Sequence, residues 1–229
     1  VSSINGHIGR SNNSNSLGNV TVSGAGSRWN NSGNLYVANL GRGSLDINSG
    51  AVVTNVNGFI ARQTGRTGTV NVSGAGSLWN NFRDLSVGDY GIGTLDISSG
   101  GVVNNQNGTV GERSGSRGVA NVGAGSQWNN SRDLSVGTSG NGTLNINSGG
   151  VVSNVNGLVG ERSGSTGVVS IGGAGSQWNN SSNLFVGGSS SSLGGNGRVD
   201  IASGADVHVG STMKVWNNGT VNFSGGKLD

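Results

Sequence analysis

Apolar residues occur along this chain in very short segments, where they alternate with polar residues. In one example, Leu45 and Ile47 flank Asp46, and the next segment contains Val52 and Val53. Alternation with a period of two is typical of β-strands that bury one face. Apolar residues at helical spacing do not extend over about ten residues anywhere in the sequence. The pattern therefore predicts an all-β protein built from short strands.

The order of these segments repeats about every 25 residues. Residues 34–55 and 57–81 both read as an aliphatic pair, a Gly-rich turn, an alternating strand, a Ser-Gly-Ala turn and a short strand that ends at Asn. One aliphatic anchor per unit recurs at spacings that alternate between 23 and 26–27 residues after a first gap of 29, which indicates an inserted loop between residues 11 and 16. The nine anchors are Ile8, Val37, Ile60, Val87, Val110, Val136, Val159, Val186 and Val209.

Two successive units form a longer repeat, marked by the motif G-A-G-S-x-W-N-N at residues 24–31, 74–81, 123–130 and 173–180. Its tryptophans, Trp29, Trp79, Trp128 and Trp178, follow each other at spacings of 50, 49 and 50 residues. Such a period indicates a repeat architecture in which each unit buries its face against its neighbours. We predict one domain over residues 1–229, regular to residue 187 and looser over residues 188–229, after a Ser/Gly insertion. Trp216 lies outside the series.

Three short strands and three turns per unit predict one rung of a parallel β-helix. The usual crossover rule makes this solenoid right-handed. Nine rungs stacked at about 4.8 Å give a rod of roughly 40 Å. The strand that carries Trp79 occupies the place that Val52 and Val53 hold in the preceding unit, so Trp and Val rows should alternate inside the rod. The paired asparagines after each Trp predict side-chain amide ladders.

The composition supports a packed repeat and excludes several classes of protein. Gly accounts for 47 of the 229 residues, but its positions keep phase with the aliphatic pairs, which argues against disorder. Pro is absent, which excludes collagen and polyproline structures. Cys is also absent, which excludes a disulfide scaffold and a thiol enzyme. The chain has no apolar run of membrane-spanning length and no signal peptide, and we interpret it as a segment of a longer protein.

The charge does not indicate a nucleic-acid partner, although the pI is near 10. The net charge is only +3, from 13 basic and 10 acidic residues, and no basic run is present. A phosphate-binding face needs clusters of Lys and Arg. We therefore expect neither nucleic-acid binding nor direct insertion into a membrane.

The order of three motifs resembles the repeats of bacterial autotransporter passengers, the type V secreted surface proteins. These motifs are G-A-G-S-x-W-N-N, then L-x-V-G, then G-x-G-T-L-x-I-x-S-G-G-x-V, and together they cover nearly the whole chain. The resemblance implies a right-handed parallel β-helix, export with a signal peptide, and a tether at the bacterial surface through a C-terminal outer-membrane barrel. It also implies adhesion, self-aggregation or biofilm formation, which have a role in virulence.

No residue pattern indicates catalysis, a cofactor or a metal. Asp46, Asp96 and Asp200 occupy the outward position of repeated strands, and copies two rungs apart are roughly 10 Å apart, too far for a paired acid–base site. Residues 91–97 carry part of a calcium β-roll pattern but lack its turn aspartate. His7 and His208 are far apart in sequence and have no Cys partner.

Recurrent charged pairs are the candidate site. They occur at fixed phases of the long repeat, so that two mixed-charge stripes should run along the rod, as surface salt bridges or as a polar zipper between identical rods. The candidate residues are Arg83, Asp84, Arg132, Asp133, Glu112, Arg113, Glu161 and Arg162. The expected partners are a second copy of the chain, a host or matrix surface, or a glycan.

We expect a non-enzymatic adhesive segment. Two alternatives stay open: a spacer that carries an adhesive tip elsewhere, and a polysaccharide-acting β-helix enzyme or its carbohydrate-binding stem. Exposed tryptophans would form carbohydrate-stacking platforms, but their phase with Val52 and Val53 predicts burial. The many Ser and Thr residues also admit O-glycosylation.

Overall fold

The structure is a computed structural model that describes residues 1–11 and 16–229. The inserted loop expected between residues 11 and 16 falls largely on residues 12–15, outside the described residues. Within the described residues, all regular secondary structure is β-strand. In chain order the strands are β1 Ser2–Ser3, β2 Gly6–Ile8, β3 Leu17–Ser23, β4 Arg28–Asn31, β5 Leu35–Val37, β6 Arg42–Asn48, β7 Val52–Asn55, β8 Gly58–Ile60, β9 Thr67–Ser73, β10 Leu78–Asn81, β11 Leu85–Val87, β12 Ile92–Ser98, β13 Val102–Asn105, β14 Gly108–Val110, β15 Arg117–Val122, β16 Gln127–Asn130, β17 Leu134–Val136, β18 Asn141–Asn147, β19 Val151–Asn154, β20 Gly157–Val159, β21 Thr166–Gly172, β22 Ser176–Asn180, β23 Leu184–Val186, β24 Asn196–Ala202, β25 Ala205–Val209, β26 Met213–Val215, β27 Gly219–Ser224 and β28 Lys227–Leu228.

Every third strand joins the same sheet, so that three parallel sheets run the length of the molecule. The first sheet contains β1 and every third strand to β28, the second contains β2 to β26, and the third contains β3 to β27. Each turn of the chain thus adds one strand to each sheet, and the neighbours on either side are the preceding and the following turns. The result is an all-β solenoid of about nine rungs, which confirms the predicted architecture.

The corner between the second and third sheets depends on glycine. Gly88 lies just after β11 with φ of +73°, and Gly93 lies at the second position of β12. A Cβ added to Gly93 would be 2.2 Å from the backbone nitrogen of Gly88. Only glycine permits backbones to come this close, and it also tolerates the left-handed turn. This explains why glycine recurs at the second position of the third-sheet strands from β3 to β24.

The interior contains the alternating Trp and Val row that the sequence predicts. Trp79 is in register with Val53 on one side and with Val103 on the other, and the row continues through Trp128, Val152, Trp178 and Val207. Trp79, Trp128 and Trp178 have no exposed surface, whereas Trp29, near the first rung, is partly buried. The three buried indoles are therefore core residues, and the alternative role as carbohydrate platforms is wrong for them.

A buried amide ladder lies beside the tryptophans. The Trp79 Nε1–H donates to Asn55 Oδ1 at 2.7 Å, and Asn55 Nδ2 donates to Asn81 Oδ1 at 2.6 Å. Trp128 with Asn105 and Asn130, and Trp178 with Asn154 and Asn180, repeat the same chain. Polar groups in an apolar core are stable only when they are hydrogen-bonded. The ladder thus satisfies these three indoles, and it confirms the expected amide stacking for Asn81, Asn130 and Asn180, whereas Asn31 of the first motif bonds to Ser3 and to the Thr54 carbonyl.

One expected anchor is wrong. Val215 in β26, not Val209, is in register with Val186, whereas Val209 lies in β25 opposite Asn180. The first-sheet strand of this last rung has five residues, and its Val-His-Val alternation resembles an anchor segment in sequence. Trp216 lies just after β26 and donates from Nε1 to the Ser189 carbonyl at 2.8 Å, so that it stands outside the Trp row, as expected.

The buried ladder predicts that replacing one of two adjacent asparagines lowers the free energy of unfolding much more than replacing the other. Asn105→Ala removes the acceptor of the Trp128 indole and the donor to Asn130, which leaves buried polar groups unpaired. We expect a loss of about 2–4 kcal/mol in the free energy of unfolding, measured by urea denaturation. The neighbouring Asn104 is only half-buried and points outward, so that Asn104→Ala is the matched control, with an expected loss of under about 1 kcal/mol. Equal losses in the two variants would contradict the role of the ladder.

Candidate functional site: the charged corners

The structure brings the first pair of predicted basic residues into one column. Arg83 and Arg132 lie in the corner between the first and second sheets, two residues before β11 and β17. The backbone connects them, because Gln106 donates its N–H to the Arg83 carbonyl at 2.6 Å, and Arg132 donates to the Gln106 carbonyl at 2.9 Å. The two arginines are thus two rungs apart, roughly 10 Å along the rod.

Their acidic neighbours have a different role from the expected one. Asp84 Oδ1 accepts from the backbone N–H of Asn107 at 3.3 Å and from its Nδ2 at 2.8 Å. Asp133 Oδ1 likewise accepts from Asn156 Nδ2 at 2.8 Å. Both belong to what we call the corner ladder, in which each side chain accepts from the next rung: Asn5, Asn34, Asn57, Asp84, Asn107, Asp133, Asn156 and Asn183.

The arginines of this corner are therefore left without acidic partners. Among residues 1–11 and 16–229, no ion pair includes Arg83 or Arg132, and both side chains are exposed. A salt bridge within Arg83–Asp84 and Arg132–Asp133 was the simplest expectation, and it is wrong. The aspartates point their oxygens at the amides of the next rung instead, because those donors lie in register with them.

The second stripe does contain ion pairs. Arg113 Nη2 lies 3.1 Å from Glu112 Oε1, and Arg162 Nε lies 3.8 Å from Glu161 Oε1. The carboxylates also accept from hydroxyls on the outer face of the second sheet, Thr109 Oγ1 at 3.3 Å for Glu112 and Ser135 Oγ at 2.8 Å for Glu161. Each glutamate thus leans over the second sheet and is partly neutralised by its own arginine.

A further carboxylate, which the sequence did not single out, lies beside this stripe. Asp89 follows Val87 by two residues, as Glu112 follows Val110, and it is only 4% exposed. Arg62 Nε and Arg113 Nε lie 4.0 and 3.8 Å from its oxygens. Burial and, next, the adjacent Glu112 raise the pKa of Asp89 to about 6, against the opposing effect of the two arginines. An alignment of successive 25-residue units would have shown this carboxylate, because Val-Gly-Asp at residues 87–89 matches Val-Gly-Glu at residues 110–112.

An aromatic stack covers the second sheet at its first rungs. The His7 and Tyr36 rings are stacked with centroids 4.8 Å apart, and the Tyr36 and Phe59 rings with centroids 5.3 Å apart. Arg62 Cζ lies 4.6 Å from the centroid of Phe59 and 5.0 Å from that of Tyr36. The rings cover one another's faces, so that the stack does not present an open face to a sugar. The anchor spacings carried the signal for this stack, because His7, Tyr36 and Phe59 directly precede Ile8, Val37 and Ile60 and are likewise 29 and 23 residues apart.

The remaining titratable residues do not extend the site. Among residues 1–11 and 16–229, no three His, Cys, Asp or Glu side chains form a group that could hold a metal ion. His208 is 3.6 Å from Asp229 in the last rung. Burial and nearby Arg10 lower the pKa of His7. In the described part of the chain, no helix is long and apolar enough to cross a membrane.

Comparisons with known proteins leave the family of the chain open. No protein-family model matches the chain, and no curated protein matches it. Among solved structures, it is similar to the crystal structure of a TibC-catalyzed, hyper-glycosylated fragment of TibA that spans residues 55–350. The two chains are 17% identical, the match covers 100% of this chain and 96% of the fragment, and the TM-score is 0.38.

The buried carboxylate predicts a pH-dependent effect on stability. The pKa of Asp89 is raised to about 6 from its unfolded value of about 3.8. Its favourable contribution to the free energy of unfolding is therefore fully present below pH 3.8 and is lost as the pH rises through about 6. Asp89→Asn should therefore stabilise the protein by about 1–3 kcal/mol at pH 7.5 and by much less at pH 4.5, measured by urea denaturation. Asp206→Asn, which removes one carboxylate in β25, is the control. A stabilisation of equal size at both pH values would contradict this assignment.

Proposed function

We propose that this chain is a non-enzymatic segment of an autotransporter passenger that projects from the bacterial surface and acts in adhesion, self-aggregation or biofilm formation. The repeat motifs that resemble passenger repeats support this proposal, and so does the solenoid fold that they predict. The exterior of the rod supports it further, since exposed groups recur there every two rungs. A rod of this kind offers the same contact several times to one partner.

The unpaired arginines are the observation that carries the adhesive proposal. Arg83 and Arg132 are exposed, lie in one column, and have no acidic partner among the described residues. One exposed ion pair contributes under about 1 kcal/mol. Contacts in series along a rigid rod act together, because the first contact raises the effective concentration for the next. A second copy of the rod could supply the acidic side through Glu112 and Glu161, which remain partly exposed.

A spacer is the second candidate, and the corner ladder favours it. The hydrogen-bonded side chains from Asn5 to Asn183 connect eight successive rungs, which stiffens the rod without any need for a partner. A spacer would need this stiffness but not the unpaired arginines.

Sedimentation velocity on the purified chain, across protein concentration and salt, separates these candidates. We expect a concentration-dependent dimer that weakens as salt rises, because salt screens exposed charges. Two double variants reverse the charge of the stripes: Arg83→Glu with Arg132→Glu, and Arg113→Glu with Arg162→Glu. Each should raise the dimer dissociation constant by about tenfold.

The matched control is Arg42→Glu with Arg117→Glu, which reverses two exposed arginines on the third sheet. This control should dimerise like the unmodified chain. An elongated monomer at all concentrations would reject self-association and favour the spacer, and an equal effect of all three double variants would reject the charged stripes.

A further inference from the structure

The outer face of the first sheet carries two rows of outward-pointing side chains that run along the rod. One row is mainly aliphatic and half-buried, and its members are Arg28, Val52, Leu78, Val102, Gln127, Val151 and Gln177. The other row consists of amides and hydroxyls, and its members are Asn30, Thr54, Asn80, Asn104, Asn129, Ser153 and Asn179. The sheet therefore presents a narrow apolar strip directly beside a hydrogen-bonding strip.

A wall stands along the edge of the amide row, at the corner with the second sheet. Three residues connect β10 to β11 in this corner, but only two connect β7 to β8. The additional residue of every second rung projects outward, as Phe82 does with 58% of its surface exposed. Ser131 occupies the equivalent place two rungs later and is also exposed.

The floor and the wall border a series of shallow, open depressions, which we call the amide groove. One, of about 360 Å³, lies between Asn80, Asn104 and Asn129 on the floor and Phe82 and Ser131 on the wall. A second, of about 520 Å³, continues past Ser131 to Ser153 and Asn179. A third, of about 580 Å³, lies near the first rungs beside Asn30 and Thr54. The groove thus follows the rod axis and repeats with the two-rung period.

The groove contains polar groups that are free to bind a ligand. Asn80 makes no side-chain hydrogen bond within residues 1–11 and 16–229, and neither does the hydroxyl of Ser153. Asn104 accepts from Asn129 Nδ2 at 3.0 Å, which leaves its own NH₂ group unused. An amide offers a donor and an acceptor in one plane, which suits neighbouring hydroxyls on a ligand.

The rim of the groove carries three exposed arginines. Arg83 follows Phe82 on the wall, Arg132 follows Ser131, and Arg28 begins the aliphatic row. Between β4 and β22 neither row of this face contains an acidic residue, whereas Asp84 and Asp133 lie directly beside the corner arginines and keep their negative charge while Oδ1 accepts in the corner ladder. Three arginines against two aspartates leave the rim with a small positive excess, and the exposed guanidinium groups, which have no ion-pair partner among residues 1–11 and 16–229, can pair with anionic groups on a ligand.

We propose that the amide groove binds an extended anionic polysaccharide, with its chain along the rod axis. The aliphatic row packs against the apolar faces of the sugar rings, the amides bond to the hydroxyls, and Arg83 and Arg132 pair with carboxylates or sulfates two rungs apart. This assignment rests on the proposed adhesive function and names a ligand class for it.

Other polymers fit the groove less well. A peptide that adds as a β-strand needs an open sheet edge, and a solenoid presents such edges only at its two ends. A nucleic acid needs a dense row of cations and open aromatic faces, but the groove has few cations, and Phe82 is its one aromatic residue.

Binding of the purified chain to defined polysaccharides, measured by biolayer interferometry at about 50 and 300 mM salt, tests this assignment. Hyaluronate and chondroitin sulfate represent host glycans, alginate represents a bacterial one, and dextran is the neutral control. We expect binding to at least one of the anionic polymers, a loss of affinity at high salt, and no binding to dextran. Preference among the three anionic polymers identifies the source of the ligand.

Two double variants separate the parts of the groove. Arg83→Ala with Arg132→Ala should weaken binding about tenfold, and Asn80→Ala with Asn104→Ala about three- to tenfold. The matched controls lie on the outer face of the third sheet: Arg42→Ala with Arg117→Ala, and Thr69→Ala with Thr94→Ala, which should each change affinity less than about twofold. Circular dichroism and urea midpoints check that each variant is folded.

The outcomes also separate this assignment from the function on which it rests. The Asn80 and Asn104 variant should keep the sedimentation behaviour of the unmodified chain, because it changes no charge. No binding to any anionic polymer by a chain that still dimerises would overturn the groove assignment and leave adhesion intact. Equal losses in the groove variants and the third-sheet controls, or equal binding to dextran, would also overturn it.

Discussion

In-register stacking of parallel rungs is the constraint on which the rest of this molecule depends. Each strand finds its backbone partners in the rungs above and below, so that a one-residue slip would move all of its apolar side chains to the outside. Register therefore places equivalent residues in rows about 4.8 Å apart. Every side chain then has to be compatible with the residues at the same position in the adjacent rungs.

The sequence meets this requirement by alternating two kinds of residue along each row. Trp79 lies between Val53 and Val103, so that two indoles never occupy adjacent rungs. On the third sheet, Asn71 donates to Asp46 and Asn121 donates to Asp96, each at 2.6 Å, which keeps the carboxylates two rungs apart. The corner ladder alternates Asp84 and Asp133 with asparagines for the same reason, because like charges directly opposite each other are destabilising. The two-rung period of the exterior thus has its origin in the packing requirements of single rows.

Asp89 shows what happens where the alternation fails. It lies one rung from Glu112 in the same column, and it is almost fully buried. Arg62 and Arg113 approach it only at 4.0 and 3.8 Å, which offsets the repulsion and the burial in part, and the pKa stays raised. Arg62 also covers the Tyr36 and Phe59 rings, so that one side chain links the aromatic stack to the acidic column. The outer face of the second sheet is for this reason more crowded than the amide face of the first.

The sequence alone determined the all-β class, the nine rungs, the alternating Trp and Val row and the stacked amides, because these depend on spacing along the chain. The same spacing placed Arg83 and Arg132 in one column. Only the tertiary structure decided that Val215 replaces Val209, that Asp84 and Asp133 bond to asparagines rather than to arginines, and that Asp89 is buried. It also decided that corners of unequal length border an open groove beside the amide row. These features depend on lateral contacts between corners and sheets. A period along the chain specifies which residues share a row, but it does not specify which neighbouring side chains they contact.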